Sequence, residues 1–211
     1  MNIFWHGQSC FSLTATPSKN NQVKVVIDPF GEETGLKMPK LSADLVLMTH
    51  QNNHNQVSKA VNGEFFLING PGEYEVKEVF VQGIASEKEK GINTIYTIET
   101  EDLKICHLGC LNQKELTDEQ LDKIGEVDIL MIPVGDGEAI SAKEAVKIMS
   151  QIEPQIILPM YYHLPKLKIK LDGVDKFLKM IGVKKIEPLP KLNIKKKDIS
   201  ADEVKIILLS V

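Results

Sequence analysis

The chain has 211 residues, a formal net charge of −4, 43% hydrophobic residues and 26% charged residues. This length and balance fit an ordinary soluble globular protein that can bury a substantial core. The acidic balance and the absence of arginine argue against nucleic-acid binding, and no apolar run approaches the ~18 residues of a membrane span.

The first half of the chain is rich in short runs of β-branched and aromatic residues that alternate with polar ones, a pattern typical of half-buried strands. The tetrapeptide PGEY at 71–74 predicts a turn between two of these runs. The predicted strands cover residues 3–5, 10–16, 23–28, 44–48, 64–68, 79–84, 93–98 and 103–108.

The second half alternates helices with strands. Residues 116–125 predict a helix with Thr117 and Gln120 as a capping box and Gly125 at its end. Ser141 and Glu144 make the same signature at the start of a second helix. No Pro/Gly/Ser linker divides the sequence, so we expect a single domain over 1–211. The remaining predictions are strands at 128–134, 155–160 and 204–210 and helices at 141–152 and 172–182.

The three cysteines are too few, and odd in number, for a disulfide framework, and the N-terminus runs directly into strand-like sequence without a signal peptide. We therefore expect reduced thiols and a cytoplasmic location. The lysines crowded between residues 166 and 197 predict a solvated face rather than an anion-binding patch.

Polar residues follow several of the predicted strands directly. Strands that precede helices indicate sheets with helices packed outside, and functional groups sit on the loops where strands end. If the strands lie side by side, these endings converge on one edge. They are Asp28, the tract from His50 to Asn55, the segment from His107 to Cys110, and the segment from Tyr161 to His163.

A series of segments in the right order resembles the metallo-β-lactamase superfamily, most closely its short, single-domain branch of metal-dependent hydrolases related to sugar-phosphate lactonases. The resemblance implies an α/β fold, a four-layer αββα sandwich with the site at one edge. It also implies zinc-assisted hydrolysis through a metal-bound hydroxide, and a role for Asp28 in supporting the site loop. The segments are FWHGQSCF, VVIDPF, DLVLMTHQNNHN, INGPGEYEV, ICHLGCL, LTDEQLDKIGEVDILMIPVG and IILPMYYHLP.

The ligand motif that the resemblance implies is largely missing from the loop after residue 49. Where T-H-x-H-x-D-H is expected, His50 keeps the first histidine. Asn52 replaces the second histidine, His54 replaces the aspartate and Asn55 replaces the last histidine. Asparagine is a poor zinc ligand because its amide oxygen is neutral and hard.

The later ligand positions are also changed. Cys110 stands where the resemblance implies a bridging aspartate, and Tyr161 stands where it implies a histidine. The segment ASEKEKGINT (85–94) lacks the expected histidine, and Gly7-Gln8 replaces an early Gly-His pair. A two-metal centre is therefore not expected, and the favoured interpretation is a protein without a cofactor.

An alternative is a rebuilt single-zinc site that uses His50, His54, Cys110 and His163, a Cys-His₃ set of the kind that zinc accepts. Otherwise His50 is a hydrogen-bonded histidine at a strand end and His54 is a solvent-exposed loop residue. A thiolate at Cys110, activated by a nearby protonated histidine, is a further alternative. His107 and Cys106, in an apolar run, are predicted to be core residues.

Three functions remain open from the sequence. The first, which we favour, is a catalytically inactive relative whose pocket, with Asp28, Asn52, Asn55 and Tyr161, binds a small-molecule ligand or a partner, or serves only as structure. The second is a metal-dependent hydrolase of lactones, esters or phosphodiesters with the rebuilt zinc site. The third is a homo-oligomeric interaction protein. No nucleic-acid or membrane partner is expected.

Overall fold

The computed structural model describes residues 1–50, 57, 59–87, 91–200 and 203–211. The helices in these ranges are α1 (Asp118–Ile124), α2 (Ala142–Ile152) and α3 (Val174–Met180). The strands are β1 (Asn2–Gly7), β2 (Cys10–Ser18), β3 (Asn21–Ile27), β4 (Leu41–Ser42), β5 (Leu45–Leu47), β6 (Val61–Asn62), β7 (Phe66–Ile68), β8 (Gly72–Val76), β9 (Val79–Glu87), β10 (Ile92–Thr100), β11 (Leu103–His107), β12 (Ile129–Pro133), β13 (Ile156–Met160), β14 (Leu192–Asn193) and β15 (Lys205–Ile206).

The first sheet has the order β14-β1-β2-β3-β5-β7 in the described ranges. Antiparallel pairing joins β14, β1, β2 and β3, whereas β3, β5 and β7 run parallel. The carboxyl ends of β3 and β5 therefore lie at the same edge of this sheet.

The second sheet has the order β15-β13-β12-β11-β10-β9-β8. The strands from β8 to β11 form an antiparallel meander, and β11, β12, β13 and β15 are parallel. The three central parallel strands are apolar almost throughout, as expected for strands that are covered on both faces. Every residue of β12 and of β13 is buried.

One hydrophobic core lies between the two sheets and includes Leu13 and Val25 of the first sheet and Val81 and Ile105 of the second. Helices cover the outer faces. The buried stripe of α2, which includes Ala145 and Ile148, packs against β12, and α2 also contacts α1 and α3. On the other side, the helical residues Val57 and Ala60 pack against Val26 and Val46. The predicted αββα sandwich is confirmed.

Both predicted capping boxes are present. Thr117 accepts from the backbone N–H of Gln120, whose side chain accepts from the backbone of Thr117 in return. Ser141 and Glu144 make the reciprocal pair at the start of α2. Gly125 follows α1 with a φ of 61°, so the starts of α1 and α2 and the end of α1 are readable from the local sequence.

Two predictions about local structure are wrong. The segment 71–74 is not the turn of a hairpin, because β8 already begins at Gly72 and pairs with β9 from there to Val76. The turn is formed by Lys77 and Glu78, which have φ values of 51° and 66°. The closing strand predicted at 204–210 is confined to Lys205–Ile206. No helix in the described ranges has the length and apolar content to cross a membrane.

Candidate functional site

The polar strand endings of the two sheets meet at one edge of the sandwich. His50 and Asn93 form an isolated antiparallel bridge between the sheets, and the backbone N–H of Thr94 donates to the carbonyl of Thr49 over 2.6 Å. We call this edge the rim, defined by Asp28, Thr49, His50, Asn93, Gly109, Cys110 and Tyr161. The predicted pocket residues Asn52 and Asn55, and the predicted ligand His54, lie outside the described residues.

Asp28 organises the first-sheet side of the rim. It is buried, and its two carboxylate oxygens accept from the backbone N–H of Thr49 (2.8 Å) and from the Thr49 hydroxyl (2.6 Å). The Thr49 oxygen also lies 3.0 Å from Nδ1 of His50. Because the single hydroxyl proton is used on the carboxylate, Nδ1 of His50 must be the donor in that second contact. Asp28 thus fixes Thr49, the residue before His50.

Asn93 organises the second-sheet side. Its side-chain oxygen accepts from the backbone N–H of Cys110 (3.0 Å), and its amide nitrogen donates to the carbonyl of Leu108 (3.0 Å) and to the hydroxyl of Ser86 (2.9 Å). Gly109 lies between these two backbone groups with a φ of 62°. A Cβ there would stand 2.5 Å from the Asn93 oxygen and 2.6 Å from Thr49 Cβ, so only glycine fits this approach.

Cys110 and Tyr161 are buried together at the centre of the rim. The two side chains share a hydrogen-bond contact, and burial together with this contact raises the pKa of Tyr161 well above its usual range. Tyr161 has a left-handed backbone, with a φ of 52°, and its backbone N–H donates to the carbonyl of Gln8 (3.0 Å). A phenol at this position is therefore neutral and offers no imidazole nitrogen.

The predicted core residues of β11 are confirmed. His107 is fully buried, its Nε2 lies 2.9 Å from the carbonyl of Ser9, and its Nδ1 accepts from the backbone N–H of Gly109 over 3.1 Å. Both ring nitrogens are thus engaged, and burial lowers the pKa of His107. Burial likewise raises the pKa of the Cys106 thiol to about 12, so this thiol is unreactive at neutral pH.

Of the predicted single-zinc ligands in the described ranges, two belong to the rim, namely His50 and Cys110. His163 is exposed, and its backbone N–H donates to the carbonyl of Asp172 (2.8 Å). No group of three or more His, Cys, Asp or Glu side chains in the part of the chain that the structure describes is placed to hold a metal ion. With Asp28 committed to Thr49 and Cys110 packed against a phenol, these donors do not fit a two-metal centre.

Sequence reasoning did not identify Asn93 or the role of Gln8. Asn93 lies at the start of a predicted strand, where a polar residue carries no distinctive signal. Gln8 and Ser9 form the two-residue connection between β1 and β2, and their carbonyls are bonded to Tyr161 and His107. The one sequence signal at Gln8 was that Gly7-Gln8 replaces the Gly-His pair that the resemblance implies.

Comparison with known proteins identifies the fold and the relatives. A family model described as a beta-lactamase superfamily domain matches residues 2–161. A UPF0173 protein of Pyrococcus abyssi is 25% identical over an alignment of 186 positions, gaps included, and the match covers 77% of this chain and 83% of the relative. A UPF0173 metal-dependent hydrolase of Methanopyrus kandleri is 25% identical over an alignment of 204 positions, gaps included, and the match covers 77% of this chain and 84% of the relative.

One solved structure is similar over nearly the whole chain. It is a candidate Zn-dependent hydrolase of the metallo-beta-lactamase superfamily from Thermotoga maritima. It is 32% identical to this chain, has a TM-score of 0.81, and the match covers 99% of both chains. A metallo hydrolase from Ignicoccus hospitalis, 16% identical with a TM-score of 0.63, shares the fold over 92% of this chain and 99% of its own.

Proposed function

The chain belongs to the beta-lactamase superfamily, and we propose that it is a catalytically inactive member that binds a small-molecule ligand at the rim without a two-metal centre. The proposal depends on one observation, the buried contact between Cys110 and Tyr161. These residues occupy the places where the resemblance implies a bridging carboxylate and a histidine. A neutral phenol in contact with the side chain of Cys110 supplies neither a carboxylate nor an imidazole to a metal ion.

The charge balance of the rim supports the proposal. Two divalent cations need several anionic or imidazole ligands in their first coordination shell. Among the rim residues that define the site here, Asp28 is the only carboxylate, and both of its oxygens accept hydrogen bonds from Thr49. Hydrogen bonds around a site tune existing ligands but do not replace missing ones.

A second candidate is a metal-dependent hydrolase of lactones, esters or phosphodiesters with a single zinc ion on His50, His54, Cys110 and His163. The names of the relatives favour it, since the Methanopyrus kandleri protein is named a metal-dependent hydrolase. The contact between Nδ1 of His50 and Thr49 also favours it. A metal-binding histidine commonly donates its second ring N–H to a neighbouring oxygen, which orients the ring.

Metal analysis of the purified protein distinguishes the two candidates. The protein is produced in zinc-supplemented medium, purified without chelator and measured by mass spectrometry for zinc, iron and manganese. The Thermotoga maritima relative, treated identically, is the control for metal retention. We expect substoichiometric metal in this chain; one equivalent of zinc that is lost in Cys110→Ala, together with esterase or lactonase turnover, would establish the hydrolase instead.

A further inference from the structure

The connection between β1 and β2 carries a buried amide without a partner. Gln8 is 6% exposed, and its Nε2 has no hydrogen-bond partner among the residues that the structure describes. An unsatisfied buried donor is costly, and native proteins retain few of them. Such a group therefore points either to a missing acceptor or to a role that outweighs the cost.

Hydrogen bonds to the backbone of Gln8 and Ser9 tie this turn to Tyr161, a residue of the rim. The Gln8 carbonyl accepts from the backbone N–H of Tyr161 (3.0 Å) and from the indole of Trp5 (2.9 Å), while the Ser9 carbonyl lies 2.9 Å from Nε2 of His107. Gln8 itself has a left-handed φ of 53°. Three separate contacts thus fix a strained two-residue turn against the ends of β11 and β13.

We propose that Gln8 is the hydrogen-bond donor of a ligand subsite at the rim, and that its ligand presents a neutral carbonyl oxygen, as in an amide, ester or lactone. An acceptor from outside the chain would satisfy the amide that the fold leaves unpaired. Because these hydrogen bonds already hold the turn, the ligand does not have to order the backbone of Gln8.

The charges near the rim select a neutral carbonyl over a carboxylate. Burial, followed by the field of Asp28, raises the pKa values of Cys10 and Tyr96. Burial, followed by the side chain of Cys110 and the field of Glu138, raises the pKa of Tyr161. A ligand anion would therefore meet like charge. The chain has no arginine to form a forked contact with a carboxylate. A neutral carbonyl accepts the same hydrogen bond without this repulsion.

This inference rests on the proposed function only in placing the ligand at the same rim. The test is an NMR titration of the ¹⁵N-labelled protein with N-methylacetamide as a neutral carbonyl probe and acetate as a charged one. Gln8→Met keeps the length of the side chain and removes its donors, and Gln22→Met is the matched control at an exposed position of β3. The melting temperature of each variant is measured in parallel.

We expect N-methylacetamide, and not acetate, to shift the side-chain NH₂ signal of Gln8 in the wild type and in Gln22→Met. Gln8→Met should bind the probe about tenfold more weakly, the effect of one lost hydrogen bond. Because the unpaired amide is gone, Gln8→Met should also melt at a higher temperature than the wild type. Stronger binding of acetate, unchanged binding in Gln8→Met, or a lower melting temperature of that variant would each overturn the inference. Stoichiometric zinc together with esterase or lactonase turnover would refute the proposed function and leave these results standing.

Discussion

Replacing Asn93 with alanine should destabilise the fold strongly through two backbone groups. Asn93 is fully buried, and its side chain satisfies the N–H of Cys110 and the carbonyl of Leu108. Each backbone group left buried without this partner costs about 1–3 kcal/mol. We therefore expect Asn93→Ala to lower the free energy of unfolding by about 2–6 kcal/mol, a large part of the ~5–15 kcal/mol typical of a whole domain.

The measurement is urea unfolding followed by the fluorescence of Trp5, the single tryptophan, which is buried in the folded protein. Asn193→Ala is the matched control, because Asn193 is exposed and its amide nitrogen donates to the side chain of Asn2. That variant should change the free energy of unfolding by less than about 0.5 kcal/mol. A loss below about 1 kcal/mol in Asn93→Ala would refute the reasoning, since water would then replace the amide at no great cost.

Gly109→Ala should destabilise the protein by several kcal/mol, on the order of the cost of overpacking a core, because its Cβ would lie 2.5 Å from the Asn93 side-chain oxygen. Gly63, which has a φ of 96° and open space around it, is the control, and Gly63→Ala should cost only about 1–2 kcal/mol. Equal melting temperatures of the two variants would contradict this. Burial lowers the pKa of His107, so the unfolded chain binds protons more readily than the folded one. The urea midpoint should therefore fall as the pH drops below about 6.5, and it should fall less in His107→Gln; an identical pH profile in that variant would assign the effect to other groups. The thiols of Cys10 and Cys106, whose pKa values are raised by burial, should react with a thiol reagent only after unfolding, and rapid labelling of either in the native protein, located by peptide mass, would contradict their placement.

The elements that the sequence predicted well are those that local chemistry determines. Thr117 and Ser141 begin helices because their hydroxyls and the residues three positions on satisfy the first free N–H groups. The apolar runs that form β12 and β13 are buried on both faces, as continuous hydrophobic sequence predicts for central parallel strands. For these segments, local and tertiary preferences agree.

The missed features depend on tertiary contacts. Lys77 and Glu78 form a two-residue turn with positive φ at both positions, although neither is a residue type that favours this conformation. The pairing of β8 with β9 imposes it. Asn93 looks like any polar residue in a strand, and its role appears only when Leu108 and Cys110 approach from the next strand. A single sequence does not reveal which separate segments approach each other in the fold.

The hydrogen bonds of the rim also join the two sheets, and this has a consequence for evolution. Thr94 donates to Thr49, the Tyr96 hydroxyl donates to the carbonyl of Met48 over 2.9 Å, and Tyr161 donates to Gln8. None of these bonds needs a cation, unlike a structural zinc site whose removal unfolds the protein. A protein with this architecture can therefore lose its metal ligands one at a time and still fold. The fold can be inherited by descendants that no longer share its chemistry.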